Sequence, residues 1–224
     1  MFYRKIYVVY HTWYMAQKVI ALFGGTFDPI HAGHTAVAAY AAKHIGAEKV
    51  IFVPAKRSPL KFFSPQADDD DRLEMIKLAI EGDKKFEASD YELKKPVPSY
   101  TIETVKYFQA EYGREAAIYW LVGADSIEEL ANWYKVDELI DICNPAVMYR
   151  GGCKPPDFEG LASILGSGRV EKLQRNVIQT PLIEVSSTEI RKRLACGGDV
   201  ADMLQPAVAD YIYQRGLYGA KITS

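Results

Sequence analysis

The 224-residue chain is short of cysteine and histidine, and neither sign of charge dominates it. Its three cysteines, Cys143, Cys153 and Cys196, lack the paired spacing of a zinc site. An odd, scattered set implies no disulfide framework and reads as reduced thiols in a cytoplasmic-type compartment. No apolar run approaches the ~20 residues that a membrane span needs. A formal charge of −2 argues against a dedicated nucleic-acid binder, while leaving room for a local basic patch that serves a small anion. Arg4 and Lys5 precede the apolar Ile6–Tyr10, but that run is too short for a signal peptide and the following His11-Thr-Trp-Tyr14 offers no small-residue cleavage site. There is no internal repeat. Against this background of scarcity, two of the four histidines, His31 and His34, fall within one turn.

With 49% hydrophobic and 25% charged residues, the chain fits one α/β domain over residues 19–219. Residues 1–18 form an N-terminal extension, of which Met1 to Tyr14 reads as added or optional, and 220–224 a tail. Strands and helices alternate with short connections, which predicts βαβ units and a doubly wound parallel sheet. Val19–Phe23, Lys49–Val53 and Ala117–Val122 are continuous apolar strands, and Phe86–Leu93 and Ile183–Val185 suggest two more. The Ala-rich segment 35–45 is a buried helix stopped by Gly46. Four consecutive aspartates, Asp68–Asp71, cannot converge on one metal ion from a helix start, so they read as negative charge at the N-terminus of a helix running to Ile80. Ser99–Glu103 opens another helix with capping residues.

The first strand runs into Gly24-Gly25, where backbone must approach something closely, and Pro29 fixes the turn that follows. His31 and His34 are three apart, so a helix beginning near them puts both imidazoles on one face beside N–H groups at its positive end, with Gly33 leaving room for a ligand. Val19–Phe23 and Ile118–Val122 each end in glycine followed by Asp28 or Asp125. If the two strands are neighbours where the winding reverses, both loops line one crevice.

A second phosphate signal lies in 186–194. Ser186 and Glu189 have capping-box spacing, but capping does not explain Arg191, Lys192 and Arg193, whose charge opposes the helix dipole. An anionic ligand held by backbone N–H groups, the hydroxyls of Ser187 and Thr188 and the Arg191 guanidinium would resolve the conflict.

The turn resembles that of the nucleotidyltransferase superfamily, whose H-x-G-H signature is matched by His31 to His34, and 186–191 resembles its S-S-T-x-x-R motif. The resemblance narrows to bacterial-type nicotinate-mononucleotide adenylyltransferases and covers Val19 to Tyr218. Ser99-Tyr-Thr-Ile-Glu-Thr104 looks like that family's S-Y-T-x-D-T block, Gly123-Ala-Asp125 with Leu130-Ala-Asn-Trp133 like its G-x-D and L-x-x-W, and Tyr211–Tyr218 like its closing helix. One departure stands out: the family's P-P-H-K loop is Ser58-Pro-Leu-Lys61 here, so Leu60 replaces the histidine while Lys61 is kept.

What the resemblance implies is a Rossmann-like nucleotidyltransferase fold and transfer of the adenylyl group of ATP to nicotinate mononucleotide. His31, His34, Lys61 and Arg191 would act in catalysis. Gly24, Gly25, Thr26, Phe27, Gly33, Ser187, Thr188 and Arg191 would hold ATP and its phosphates. Thr101, Asp125, Trp133 and Lys61 would hold the mononucleotide. Magnesium would arrive with ATP, without dedicated protein ligands. Two alternatives stay open: a related adenylyl- or cytidylyltransferase for nicotinamide mononucleotide, pantetheine phosphate or an alcohol phosphate, and a dinucleotide sensor without turnover. The sequence leaves a homo-oligomer open.

Overall fold

The computed structural model describes residues 17–56 and 64–221. The expected extension up to Tyr14, Lys61 and Leu60 of the basic loop, and the end of the tail lie outside the described residues. Six strands, β1 (Val19–Gly25), β2 (Lys49–Pro54), β3 (Phe86–Ala88), β4 (Ala117–Gly123), β5 (Asn144–Arg150) and β6 (Val177–Thr180), form one sheet in the order β3-β2-β1-β4-β5-β6. Every pairing is parallel. The direction of winding reverses between β1 and β4, which are neighbours as the two glycine-ended strands suggested.

The apolar runs are continuous because both faces of the sheet are covered. On β1, Ala21 and Phe23 face a core with helices α1 (Ala32–Ile45), α2 (Asp69–Ile80), α7 (Ser187–Ala195) and α8 (Pro206–Arg215). Ile20 and Leu22 face the opposite core with α3 (Thr101–Tyr112), α4 (Val136–Ile142), α5 (Leu161–Leu165) and α6 (Ser167–Arg175). Helix α1 sits close to the sheet because the side chains it buries there, Ala38, Ala41 and Ala42, are small. Gly46 ends it in the left-handed conformation that glycine adopts without steric cost (φ 71°).

Two expected strands are corrected. Only Phe86–Ala88 of the expected Phe86–Leu93 pairs with β2. Beyond it the chain turns toward α3, where Tyr91 stacks on Tyr107 at 4.0 Å and Glu92 accepts a 2.6 Å hydrogen bond from Thr104 Oγ1. The last strand is Val177–Thr180, and Ile183–Val185 is not part of the sheet. Pro181 follows β6 directly, and proline has no N–H for a ladder. Ser99 does not cap α3 either: the cap position belongs to Tyr100, with no side-chain cap bond.

The aspartate run is used residue by residue. Asp68 caps α2 by accepting from the Asp71 N–H at 2.7 Å. Asp71, nearly buried, accepts from Tyr211 at 2.7 Å and from Arg215 at 3.0 Å, tying α8 to α2. Asp69 pairs at 2.6 Å with Arg72, whose fully buried guanidinium also donates to the Thr26 carbonyl at 2.7 Å. Replacing Arg72 with leucine removes both bonds from a fully buried site, so unfolding monitored in urea is expected to show a loss of about 2–4 kcal/mol. Asp69→Asn, at a side chain 38% exposed, should cost less than about 1 kcal/mol. Equal losses would show that the aspartate, and not the turn carbonyl, is what Arg72 serves.

Candidate active site

The loops after β1, β4 and β5 and the start of α7 surround two cavities that meet at the carboxyl ends of β1 and β4, with Phe23 and Gly123 common to both. This is the crevice that an open parallel sheet leaves at its switch point.

The larger, about 630 Å³, contains His31, Gly33 and His34 on one side, Ser187 and Thr188 on another, and Asp125, Arg150 and Lys154 on the rim. His31 is the N-cap of α1, and its backbone N–H donates to His34 Nδ1 at 3.2 Å. With Nδ1 accepting, the His34 ring carries its proton on Nε2, a nitrogen that can donate to an anion. The rings of His31 and His34 stack at 3.7 Å, and Phe27 meets His34 edge-on at 5.1 Å. Burial and, after it, the positive charge of Arg150 together lower the His31 pKa to about 4, so His31 is neutral at physiological pH. Gly33 leaves room for the His31 ring: a Cβ there would lie 3.0 Å from His31 Nδ1.

The smaller cavity, about 450 Å³, is walled by Trp120, Trp133, Tyr100 and Tyr134, with the start of α3 at Thr101 and the buried Glu92 on its side. Burial raises the Glu92 pKa above the usual carboxylate range, partly offset by the bond from Thr104. Trp133 follows a short 3₁₀ turn, Leu130–Asn132, and its indole N–H is buried without a partner among the described residues. The first amides of α3 lack carbonyl partners within their own helix, as at every helix start, so this end can receive an anion.

Several expected site residues therefore separate. Gly24, Gly25 and Thr26, assigned to ATP, line the tryptophan cavity. Gly24 is required there, because a Cβ would come within 2.4 Å of the Trp120 ring. Asp125, assigned to the mononucleotide, lies in the histidine cleft instead, and at Gly123 a Cβ would meet its carboxylate at 2.3 Å. Phe27 lines neither cavity. It is buried with φ 50° and holds His34 and Gly25 by contact.

Two of the three basic residues of α7 find protein partners. Arg193 pairs with Glu189 at 3.0 Å, and Arg191 donates to the Asp28 carbonyl at 2.6 Å. The Ser187 hydroxyl is spent on the Pro29 carbonyl at 2.9 Å, which leaves its backbone N–H as the group able to meet a phosphate. Asp28 does not face the crevice: its carboxylate accepts from the Gln66 and Ala67 N–H groups at 2.8 and 3.1 Å and from the Tyr218 hydroxyl at 2.8 Å. Arg150, Lys154, Glu92 and Trp120 were missed. A strand end followed by Gly151-Gly152 was the signal for Arg150, and nothing local marked the others.

The family model for cytidylyltransferase-like proteins matches residues 22–193. A protein of Caldicellulosiruptor bescii named probable nicotinate-nucleotide adenylyltransferase is 39% identical over 205 residues, 89% of this chain and 98% of its own length. One of the same name from Clostridium tetani is 36% identical, covering 90% of this chain and all of its own. Among solved structures, the Plasmodium falciparum nicotinic acid mononucleotide adenylyltransferase complexed with NaAD matches with a TM-score of 0.69 at 20% identity, covering 92% of this chain and 100% of that one, which speaks for the fold. A histidine-lined cleft beside an aromatic cavity at the switch point, carried on a sequence this similar over nearly its whole length, places the chain in the cytidylyltransferase-like family, among the nicotinate-nucleotide adenylyltransferases.

Proposed function

We propose that this chain transfers the adenylyl group of ATP to nicotinate mononucleotide, forming deamido-NAD and pyrophosphate in NAD biosynthesis. The observation that carries this reading is the meeting of the two cavities at the ends of β1 and β4: one offers donors and positive charge, the other flat aromatic faces and a helix start. In this reading the triphosphate lies along His31, His34 and the α7 amides, with Arg150 and Lys154 beside it. The pyridine ring lies against Trp133, its carboxylate toward the amides near Thr101.

A 5′-phosphate oxygen of the mononucleotide attacks the α-phosphorus of ATP. The bond from that phosphorus to the bridging oxygen of the β-phosphate breaks, and pyrophosphate leaves with the electron pair. The phosphate is already a nucleophile at neutral pH, so the protein supplies alignment and stabilises negative charge. His34 donates from Nε2, and the neutral His31 hydrogen-bonds without adding a positive charge to a cleft that already holds Arg150. Magnesium belongs to this reading as part of the ATP complex, held by phosphate and water. Among the described residues no His, Cys, Asp or Glu cluster is arranged to hold a metal ion. No helix among them is long and apolar enough to cross a membrane. Lys61, which lies outside the described residues, is retained as a phosphate ligand on the resemblance of its loop.

Three outcomes test the reading. Wild-type kcat/KM should favour the acid mononucleotide over the amide by about tenfold to a hundredfold, because N–H groups suit a carboxylate and face donors of the amide. Trp133→Ala should weaken both acceptors and keep most of that ratio; equal wild-type constants would refute acid selectivity. His34→Ala should lower turnover ~10²-fold or more while leaving the folded structure intact by circular dichroism, since one preorganised donor is lost. Unchanged turnover would remove His34 from the chemistry. The low His31 pKa has a stability consequence. Between pH 6.5 and about 4 the unfolded chain takes up a proton at His31 that the folded one does not, so stability falls with pH across that window by up to about 3 kcal/mol. His31→Asn should flatten this part of the urea-unfolding profile, and an unaltered slope would assign the acid sensitivity elsewhere.

A further inference from the structure

The short turn Leu217–Gly219 near the end of the described chain has no part in the reading above, yet it reaches Asp28, on the stretch that leads from β1 to His31. Tyr218 sits in the left-handed region (φ 56°, ψ 24°), a conformation costly for a residue with a side chain, and it is held there with its hydroxyl on Asp28 Oδ1 at 2.8 Å. Phe27, one residue before Asp28, is likewise left-handed at φ 50°. Strained backbone thus flanks both ends of one hydrogen bond.

Asp28 is 6% exposed, and the Tyr218 hydroxyl is one of three donors to its carboxylate, beside the Gln66 and Ala67 amides. Its own carbonyl receives Arg191 Nη1 at 2.6 Å, and the same nitrogen lies 3.9 Å from Oδ2. One residue on, the Pro29 carbonyl receives Ser187 Oγ at 2.9 Å. Both donors belong to α7, and the turn packs on that helix as well, since a Cβ at Gly219 would lie 3.5 Å from the Ala195 Cα. The first turns of α7 are therefore docked on the stretch that leads into His31 and His34, and Asp28 is the joint.

We infer that Tyr218 and Asp28 are positioning residues of the ATP site: the Tyr218 hydroxyl fixes Asp28, and Asp28 fixes Arg191 and the α7 amides relative to the two histidines. Neither residue touches substrate in this assignment. Burial and the neighbouring carboxylate keep the Tyr218 hydroxyl protonated, so it donates to Asp28. Phenylalanine at 218 preserves the packing and removes the donor alone.

The inference rests on reading this cleft as the ATP site and is independent of which acceptor is used. Its test is equilibrium binding of magnesium-ATP to the full chain by calorimetry, alongside the melting temperature and the affinity for nicotinate mononucleotide. Tyr218→Phe should weaken ATP about threefold to thirtyfold and leave mononucleotide affinity unchanged, because a lost charge-linked hydrogen bond is passed on only in part. Tyr211→Phe is the control: it deletes a 2.7 Å bond to another buried aspartate, Asp71, in the same C-terminal region, so it should lower the melting temperature comparably without moving ATP affinity. In an Arg191→Ala background the Tyr218→Phe effect should shrink to less than about twofold, the non-additivity expected of residues acting through one contact. Equal ATP affinities for wild type and Tyr218→Phe, equal losses for both tyrosine variants, or full additivity with Arg191→Ala would each overturn the assignment. A wild-type chain that binds no ATP would remove the cleft reading itself.

Discussion

The stretch from Thr26 to Pro29 is the constraint on which this molecule turns. It must carry the chain from a buried strand into the first turn of α1 while placing two imidazoles at the helix start, and its carbonyls point into protein. Buried carbonyls require donors. Three come from side chains distant in sequence: Arg72 on Thr26, Arg191 on Asp28 and Ser187 on Pro29, separated from their acceptors by 46, 163 and 158 positions. Each bond fixes the turn and, equally, docks an element against it. The histidines inherit their geometry from this arrangement, since His31 is the cap residue that the turn delivers.

The turn also explains why its left-handed phenylalanine is tolerated. Phe27 fills the space over Gly25 and against His34, and its burial offsets backbone strain of about 1–3 kcal/mol. Glycines on both sides of the crevice mark where side chains compete for the same volume: the Trp120 ring takes what a Cβ at Gly24 would occupy, and Asp125 does so at Gly123. The crevice is thus shaped by large side chains leaning over glycine at two adjacent strand ends. That division yields one polar and one aromatic compartment, as a reaction between a triphosphate and an aromatic nucleotide requires.

Electrostatics in the polar compartment favour donors over fixed charge on the histidines. Arg150 and the burial of His31 both oppose a second cation beside it. A positive His31 would also be costly to the folded state in the absence of an anion, so neutrality serves stability as well as the proposed chemistry. Two of the three positive charges on α7 meet protein partners, Arg193 at Glu189 and Arg191 at the Asp28 carbonyl. On the helix dipole alone all three charges stand uncompensated; the fold compensates Arg191 and Arg193 from within.

The parallel sheet, its switch point, the histidine turn and the helix capped by Ser186 were legible in the sequence because each is local: an apolar run, a glycine stop, an i, i+3 pair, a cap residue. Ranges were less legible where the sheet edge decided them. Phe86–Leu93 and Ile183–Val185 have strand-like composition, but pairing partners and Pro181 limited what could join the ladder. Which cavity each site residue serves was decided only by tertiary structure. Gly24 lies at the end of β1 and Asp125 just after β4, two neighbouring strand ends, yet Gly24 lines the aromatic cavity beneath the Trp120 ring and Asp125 the polar one. The roles of Asp28, Arg72 and Tyr218 were likewise invisible, for their meaning lies in bonds spanning up to 190 positions, and no local pattern of residues encodes a partner that distant. Sequence determined the elements and their chemical alphabet; the closure of the chain around one turn decided which residues hold that chemistry in place.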